Sequence, residues 1–234
     1  MASSHQSLHR AVAILQSFSE AEPTLSVAEI SERLSIHKST VSRILGALLD
    51  DGLVWHNAET GRYSLGMAVV EMAGVALGQI DVRRAAMPHM DQLAASTRET
   101  VSLFVRRGSE ALTVAHVSSP EPVHHVAWIG RRVPLDKTAP GRVLSNPPVI
   151  DLTDVAGPGG HRVAYERDEF EVGTSAVAVA IVGPSEDPVA ALSVSGPSER
   201  LEEQKIIADV IATARRIETD LGLRSNRVER VIRS

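Results

Sequence analysis

The sequence has no cysteine, few aromatic residues and no long apolar run. Without cysteine, the chain forms no disulfide bond and offers no thiolate for catalysis or metal binding, which suits a reducing compartment. Aromatic residues make up 3% of the chain, too few for the stacking rows that bind RNA or single strands. The longest apolar-rich stretch, residues 67–80, is too short to span a bilayer, and the N-terminus shows no secretory signal. We therefore expect a globular cytoplasmic protein.

Positive charge is scarce overall but concentrated in one stretch. The 234 residues are enough for one large or two small domains and carry a net charge of −5. Residues 1–66 hold five basic and seven acidic side chains, whereas a non-specific nucleic-acid binder normally has a basic surplus. Residues 33–49, however, contain three basic side chains and no acidic one. This stretch is either a small positive binding surface or an ordinary solvated helix face.

Residues 25–65 have the pattern of a winged helix-turn-helix. Segments 27–34 and 38–49 each repeat apolar residues at helical spacing, with a three-residue turn between them. Neither segment buries its apolar stripe alone, so both must pack on a third helix, expected at residues 8–18. The stripe of that third helix consists of Leu8, Val12, Leu15 and Phe18. Residues 57–63 predict a hairpin with a basic tip, and double-stranded DNA is therefore the first expected partner.

The second helix of this motif supplies most of the predicted DNA contacts. In its first turn, free backbone N–H groups and short hydroxyls favour a phosphate. One turn later, side chains are placed to reach base edges in a major groove. The hairpin tip adds one more arginine. The predicted DNA-binding residues are Lys38, Ser39, Thr40, Ser42, Arg43 and Arg62.

The rest of the chain predicts a linker helix followed by an α+β domain. Residues 67–80 are apolar around most of a helix surface, which indicates a linker helix that also contacts a partner subunit, or else plain core. From residue 99 the apolar period changes to two, which predicts strands. The expected strands are 100–105, 111–118, 123–129, 177–183 and 190–195, and the expected helices are 82–96 and 201–221. The predicted fold class is α+β, with an antiparallel sheet flanked by helices.

Several stretches resemble the IclR family of bacterial transcription regulators. The similar stretches are 7–15 (the family's opening helix), 38–43 (its recognition helix), 61–66 (its wing) and 190–201 (its end signature). Residues 134–142 are a divergent form of a segment that usually carries His and Lys where Asp136 and Arg142 stand. Between Leu144 and Glu166 the chain is shorter than the family's usual pattern. The resemblance covers nearly the whole chain.

The resemblance implies a domain organisation, an assembly and an effector site. The expected parts are a winged helix-turn-helix domain (1–66), a linker helix (67–80) and a GAF-like effector-binding domain (81–234). The last part would bind a small organic acid or related metabolite, and the chain would form a dimer or tetramer. The implied effector-binding residues are Ala139, Pro140, Glu166, Ala176, Ser193 and Ser195. Trp128 and His124, on one face of an expected strand, would add an aromatic wall, unless Trp128 simply packs in the core.

The chemistry of these positions leaves the class of ligand open. Ser193 and Ser195 lie two apart on an expected strand, so both hydroxyls face one side and can donate to one carboxylate. Backbone N–H groups near Ala139 and Gly141 would assist, although the two serines alternatively just satisfy polar groups of the sheet. Glu166 would repel an anion. A hydroxylated, amino or neutral ligand is therefore an alternative to a simple carboxylate.

No motif predicts catalysis, a metal or a cofactor. Ser35 and Lys38 match an S-x-x-K pattern but lie at the expected turn and lack the partner motifs of acyl-enzymes. His124 and His125 are adjacent, so only one of them can join His116, and no near carboxylate completes a three-ligand set. We expect a ligand-responsive regulator, a repressor rather than an activator, that binds a near-palindromic operator and is not an enzyme. The alternative is a sensing module or metabolic enzyme whose N-terminal helices serve only assembly.

Overall fold

The chain divides into two compact units, residues 1–79 and 80–234. The computed structural model describes residues 2–145, 155–157, 161–183, 185 and 187–223. The shortened stretch expected between Leu144 and Glu166 lies largely outside these residues. Within the described ranges, no helix has both the length and the apolar composition needed to cross a membrane.

The N-terminal unit consists of three helices, a two-stranded hairpin and a fourth helix. Its elements are α1 (Ala2–Gln16), α2 (Val27–Leu34), α3 (Lys38–Asp50), β1 (Val54–Asn57), β2 (Arg62–Leu65) and α4 (Met67–Gly78). Strands β1 and β2 pair antiparallel, with Val54 opposite Leu65 and Asn57 opposite Arg62. The winged helix-turn-helix expected from the sequence is confirmed.

Local hydrogen bonds set both ends of α2 and hence the turn into α3. Ser26 and Glu29 form a capping box, in which the Ser26 hydroxyl accepts from the Glu29 N–H and the Glu29 carboxylate accepts from the Ser26 N–H. Ser35 ends the helix in the left-handed conformation, with φ of 53°. The Ser31 hydroxyl then donates to the carbonyl of Ile36 at 2.6 Å, which stabilises the turn.

The core of this unit forms where α1, α2, α3 and the hairpin meet. Its most buried side chains include Ile14, Ile30 and Leu45. The stripe expected on α1 is wrong in part, because Leu8 and Val12 are 64% and 44% exposed. The residues of α1 that face the core are instead Ala11, Ile14 and Leu15, and Phe18 joins them just after the helix ends.

Helix α4 is apolar yet contributes nothing to the described core. None of its 12 residues is buried, and Val70, Met72 and Val75 are all more than half exposed. Exposed apolar surface of this extent usually marks a protein interface.

The C-terminal unit is built on a seven-stranded antiparallel sheet. Its elements are α5 (Asp81–Thr97), β3 (Thr100–Arg107), β4 (Glu110–Val117), β5 (Arg132–Pro134), α6 (Ala139–Leu144), β6 (Val155–Gly157), β7 (His161–Arg167), β8 (Thr174–Val182), β9 (Pro188–Pro197) and α7 (Glu203–Asp220). The strand order is β5-β4-β3-β9-β8-β7-β6. Together with the N-terminal unit, this confirms the predicted α+β class.

The two faces of the sheet carry side chains of different size. Ala176, Ala178 and Ala180 of β8 share a buried cluster with Val143 and Leu144 of α6, so small side chains let this short helix approach closely. The alternate residues of β8 point to the other face, and α5 and α7 also contact the sheet and each other. At Gly141 an added Cβ would lie 2.5 Å from the Pro134 carbonyl oxygen, so α6 also sits tightly against the end of β5.

The strand expected at 123–129 is not formed. This segment is a loop in which Val123, Val126 and Ile129 are exposed. Side chains bind its carbonyl groups in place of a strand ladder: Thr100 Oγ1 donates to the oxygen of His125 at 2.7 Å, and Arg200 donates to that of Val123 at 3.0 Å. The sequence pattern failed here because the short β5 takes the edge position beside β4.

Candidate functional site

Helix α3 turns four of the predicted DNA-binding side chains to solvent. Lys38, Ser39, Ser42 and Arg43 are exposed, and Thr40 is partly buried. The opposite face carries the buried side chains Val41, Ile44, Leu45 and Leu48. Because these four lock the helix into the core, the polar face is held in a single orientation. The N-terminus of α3 has no side-chain cap among the described residues. The N–H of Thr40 donates to the carbonyl of His37 at 2.9 Å, so the N–H groups of Lys38 and Ser39 are the ones open to a phosphate.

Arg62 braces the wing against the rest of the unit. Its guanidinium donates to the hydroxyl and the carbonyl oxygen of Thr24, at 3.1 and 2.8 Å, and pairs with the carboxylate of Glu29 at 3.0 Å. The Asn57 side chain accepts from the N–H groups of Glu59 and Thr60, which shapes the tip. The sequence did not reveal this structural role, and contact between Arg62 and DNA stays a prediction.

The C-terminal unit contains a pocket between the sheet, α6 and two loops. It encloses about 500 Å³ of empty space, counting its open mouth. Five of the seven predicted effector residues line it: Pro140, Glu166, Ala176, Ser193 and Ser195. The lining residues not predicted are Ser102, Phe104, Thr113, His125, Ala127, Arg131, Val133, Thr138, Phe170, Glu171 and Thr174.

Trp128 and Ala139 were predicted to line the pocket and do not. The ring of Trp128 lies instead against the guanidinium of Arg131, whose central carbon is 4.5 Å from the ring centroid. Ala139 acts through its backbone, since its N–H donates to Oε2 of Glu166 at 3.0 Å. The second backbone donor expected to help bind an acid, Gly141, donates to Thr138 Oγ1 at 3.2 Å. Both N–H groups are therefore occupied within the protein, and that part of the expectation is wrong.

The histidine in the pocket is His125 rather than His124. Nδ1 of His124 lies 2.6 Å from the carbonyl oxygen of Glu121, outside the lining. Nδ1 of His125 lies 2.8 Å from the Ser195 hydroxyl, and its Nε2 lies 3.1 Å from a carboxylate oxygen of Glu171. The prediction assumed strand alternation, which a loop does not follow.

Burial shifts the pKa of two titratable groups that line the pocket, Glu166 and His125. Glu166 is 8% exposed, and burial raises its pKa to about 7, although the Ala139 N–H and Arg142 oppose the shift. Burial also lowers the pKa of His125 to about 4, assisted by the positive charge of Arg131. In each case the neutral form is favoured because a charge loses its hydration. Near pH 7, His125 is therefore neutral and Glu166 is divided between its two forms.

Arg131 connects the two loops at the mouth of the pocket. Its guanidinium donates to the carboxylate of Glu171 and lies over the rings of Trp128 and, at 5.6 Å, Phe170. An ion pair and two aromatic contacts of this kind hold a side chain in place. The loop that contains His125 is therefore tied to the loop before β8.

One hydroxyl in the pocket has no partner within the described chain. Ser102 is 2% exposed, and its Oγ makes no hydrogen bond among the described residues. It lies on β3 directly opposite Ser193 of β9, while Ser195 lies opposite Thr100. A buried hydroxyl without a partner costs free energy, which suggests that another molecule supplies the partner.

Sequence reasoning missed several polar groups of the pocket, and Ser102, His125 and Arg131 illustrate two different reasons. Ser102 follows Thr100 at strand spacing, so a polar face of β3 was visible in the sequence. His125 and Arg131 lie in a loop, where no periodicity shows which side chains turn inward. Among the described residues, no three His, Asp or Glu side chains group as a metal site.

Comparison with known proteins places both units in one family. Residues 7–57 match the model of the IclR helix-turn-helix domain, and residues 74–148 and 160–219 match that of the C-terminal part of the bacterial transcriptional regulator IclR. The HTH-type transcriptional repressor AllR of Escherichia coli (strain K12) is 29% identical, over 94% of this chain and 92% of that protein.

Solved structures share the fold at lower identity. An IclR transcriptional regulator from Alicyclobacillus acidocaldarius is 20% identical with a TM-score of 0.76, over 92% of this chain and 98% of that one. An IclR homolog from Microbacterium hydrocarbonoxydans, complexed with 4-hydroxybenzoate, is 23% identical with a TM-score of 0.75, over 92% and 98%. With family models matching both units, this chain belongs to the IclR family of bacterial transcriptional regulators and is not an enzyme.

Proposed function

We propose that this chain represses transcription in the bacterial cytoplasm by binding a near-palindromic operator. A small metabolite bound in its C-terminal pocket controls that binding. The observation that carries the proposed DNA binding is the exposed polar face of α3. The opposite face of the same helix is buried in the core and so fixes the polar face towards solvent. The repressor sense is supported by the name of the relative AllR, which is a transcriptional repressor. The pocket, with a buried hydroxyl that has no partner among the described residues, supports the effector part.

The DNA-binding residues in this proposal are Lys38, Ser39, Thr40, Ser42, Arg43 and Arg62. Lys38, Ser39 and Thr40 lie in the first turn of α3 and bind backbone phosphate. Ser42 and Arg43 lie one turn further along the same exposed face and read base edges in the major groove. Arg62 contributes at the wing, where its charge is shared with Glu29. The effector-binding set comprises Pro140, Glu166, Ala176, Ser193 and Ser195, with Ala139 and Trp128 acting through Glu166 and Arg131.

The three parts of the chain take separate tasks in this proposal. Residues 1–66 bind DNA, residues 67–80 link the two units, and residues 81–234 receive the effector. One helix-turn-helix contacts few base pairs, so specific recognition needs two copies on a two-fold site. We propose that the exposed apolar residues of α1 and α4, around Val12 and Val70, pair with a second copy of the chain to give a dimer or tetramer.

Binding to the promoter beside its own gene tests the proposed function. The full chain is titrated against a labelled duplex of that promoter and against a scrambled duplex, at several salt concentrations. Tighter binding to the promoter, with a steep loss of affinity as salt increases, is expected of a regulator that contacts several phosphates. Deletion of the gene should raise transcription from that promoter. Equal affinity for the two duplexes would overturn the proposal, and lower transcription after deletion would make the protein an activator.

A further inference from the structure

The charges that line the pocket leave no cation for an anionic ligand. Among the described lining residues, the charged groups are Glu166, Glu171 and Arg131, since His125 is neutral. Arg131 already donates to the carboxylate of Glu171. Arg142, the other guanidinium near Glu166, donates to Glu169 at 2.9 Å and to the carbonyl oxygen of Tyr165. The charge that is not matched inside the pocket is therefore negative.

Glu166 has one oxygen bound within the protein and one facing the pocket. Oε2 accepts the N–H of Ala139 at 3.0 Å, whereas no described residue donates to Oε1. The side chain is nearly buried and projects from β7 beside Ala176, its partner in the sheet, which also lines the pocket. A carboxylate oxygen that accepts no hydrogen bond from the described residues, on a residue that lines the pocket, is open to a ligand that donates one.

The rest of the pocket supplies a second polar position and apolar walls. The buried hydroxyl of Ser102, which has no partner among the described residues, can either donate or accept. Phe104, Val133 and Pro140 form apolar parts of the lining. These features suit a compact molecule with a polar group at each end of an apolar body.

We propose that the effector is an uncharged small molecule with an N–H or O–H donor, such as an amide, that donates to Oε1 of Glu166 and bonds the Ser102 hydroxyl. This inference rests on the proposed function, because it assumes that the pocket receives the effector. An organic anion would bring a second negative charge against the carboxylate of Glu166, a residue that is 8% exposed. It would otherwise have to displace Glu171 from Arg131.

The two classes of ligand respond to pH with opposite sign. Burial raises the pKa of Glu166 to about 7, so its carboxylate is lost as the pH falls through neutrality. A ligand that donates to the carboxylate therefore binds less tightly at lower pH, whereas an anion binds less tightly at higher pH. The charged groups that face Glu166 are Arg142 and Glu169 beside it and Arg131 nearby. His125, with a pKa of about 4, stays neutral in this range.

Calorimetry of the full chain with two amide and acid pairs tests the inference. The probes are 4-hydroxybenzamide with 4-hydroxybenzoate and lactamide with lactate, each at up to about 10 mM, between about pH 6 and pH 8. We expect at least one amide to bind about tenfold more tightly than its acid at the upper pH, and its affinity to fall as the pH is lowered. Acids that bind more tightly than their amides at the upper pH would overturn the inference. So would a lack of binding by all four compounds.

Matched variants connect the result to the named atoms. Glu166→Gln should abolish the pH dependence of amide binding and reduce the preference for amide over acid, while Ser102→Ala should weaken binding of the same amide. Glu110→Gln, at a half-buried acid paired with Arg132 outside the pocket, is the control and should change neither the affinity nor its pH dependence. An unaltered pH dependence in Glu166→Gln contradicts the inference. Promoter binding of each variant without any probe reports separately on the proposed function.

Discussion

Glu166 and His125 line the same pocket, and burial drives both towards their neutral forms. For a carboxylic acid this means a raised pKa and for an imidazole a lowered one. The ionised form of each group is therefore less favourable in the folded protein than in water. Buried groups with shifted pKa values are typical of a functional site.

Glu166→Gln should make the folded state more stable at high pH but not at low pH. The folded-state pKa of about 7 lies above the ordinary value of 4.5, so wild-type stability falls as the pH rises from about 4.5 to 7. At about pH 8 the ionised Glu166 costs up to about 3 kcal/mol, which the amide avoids. Urea unfolding of both proteins at about pH 4.5 and about pH 8 measures the difference in the free energy of unfolding. The lowered pKa of His125 reduces the stability of the folded protein in the opposite direction, as the pH falls below about 6.5. This effect is the same in both proteins and cancels in their difference.

A variant pair at the floor of the pocket distinguishes an unpartnered hydroxyl from a bonded one. Ser102→Ala removes a buried hydroxyl that has no partner among the described residues, so the free energy of unfolding should stay level or rise by up to about 1 kcal/mol. Ser195→Ala removes the hydrogen bond to His125 and should lower it by about 1 kcal/mol. Chemical denaturation measures both. Equal destabilisation by the two changes would show that Ser102 is bonded in solution.

Arg43 is the side chain of α3 whose loss should alter sequence preference. Arg43→Ala should cost about 1–3 kcal/mol of operator affinity if its guanidinium binds a guanine, and should relax specificity at one base pair. Ser39→Ala and Thr40→Ala should instead weaken binding evenly across sequences, because their hydroxyls contact phosphate. Titrations against cognate and single-base-pair variant duplexes separate the two patterns. Arg107→Ala, exposed in the C-terminal unit, is the control, and an unchanged affinity for Arg43→Ala would refute the assignment of α3.

At the scale of elements, the turn between α2 and α3 contains local strain. Ser35 adopts a φ of 53°, a conformation that suits glycine better than other residues. Ser35→Gly should therefore raise the free energy of unfolding by up to about 1 kcal/mol, and Ser35→Val should lower it by more than that. Thermal unfolding of the full chain measures both effects as shifts in the midpoint of the transition in which the N-terminal unit unfolds. A glycine variant less stable than wild type would mean that the serine side chain itself stabilises the turn.

At the scale of the whole molecule, the exposed apolar residues of α1 and α4 predict self-association. Val12 and Val70 are 44% and 59% exposed, and neither contributes to the core. Sedimentation should show a dimer or tetramer at micromolar concentration for wild type and dissociation for Val12→Asp combined with Val70→Asp. The same change should reduce operator affinity, because two half-sites are no longer bound together. Val172→Asp, at a residue 94% exposed in the C-terminal unit, is the control. A wild-type monomer that binds a single half-site tightly would contradict the prediction.

Local patterns in the sequence determined the helix-turn-helix, the apolar character of α4 and the strands of the central sheet. These elements follow from spacing along the chain: three to four residues for helix faces and two for strands. Strand spacing also predicted that Ser193 and Ser195 face the same side, and both line the pocket, whereas Glu166 and Ala176 came from the family resemblance; their contact with an effector stays a prediction.

Tertiary structure alone decided the parts that depend on contacts between distant residues. It turned Leu8 and Val12 outward, because the face of α1 that packs best against α2 and α3 is centred on Ile14. It made 123–129 a loop, since Thr100 and Arg200 bind its carbonyl groups. It also brought Glu171, in the loop before β8, against His125 and Arg131, which lie in the loop after β4. No periodic pattern in the sequence predicts such contacts, because the positions of loop side chains depend on residues that are distant in the sequence.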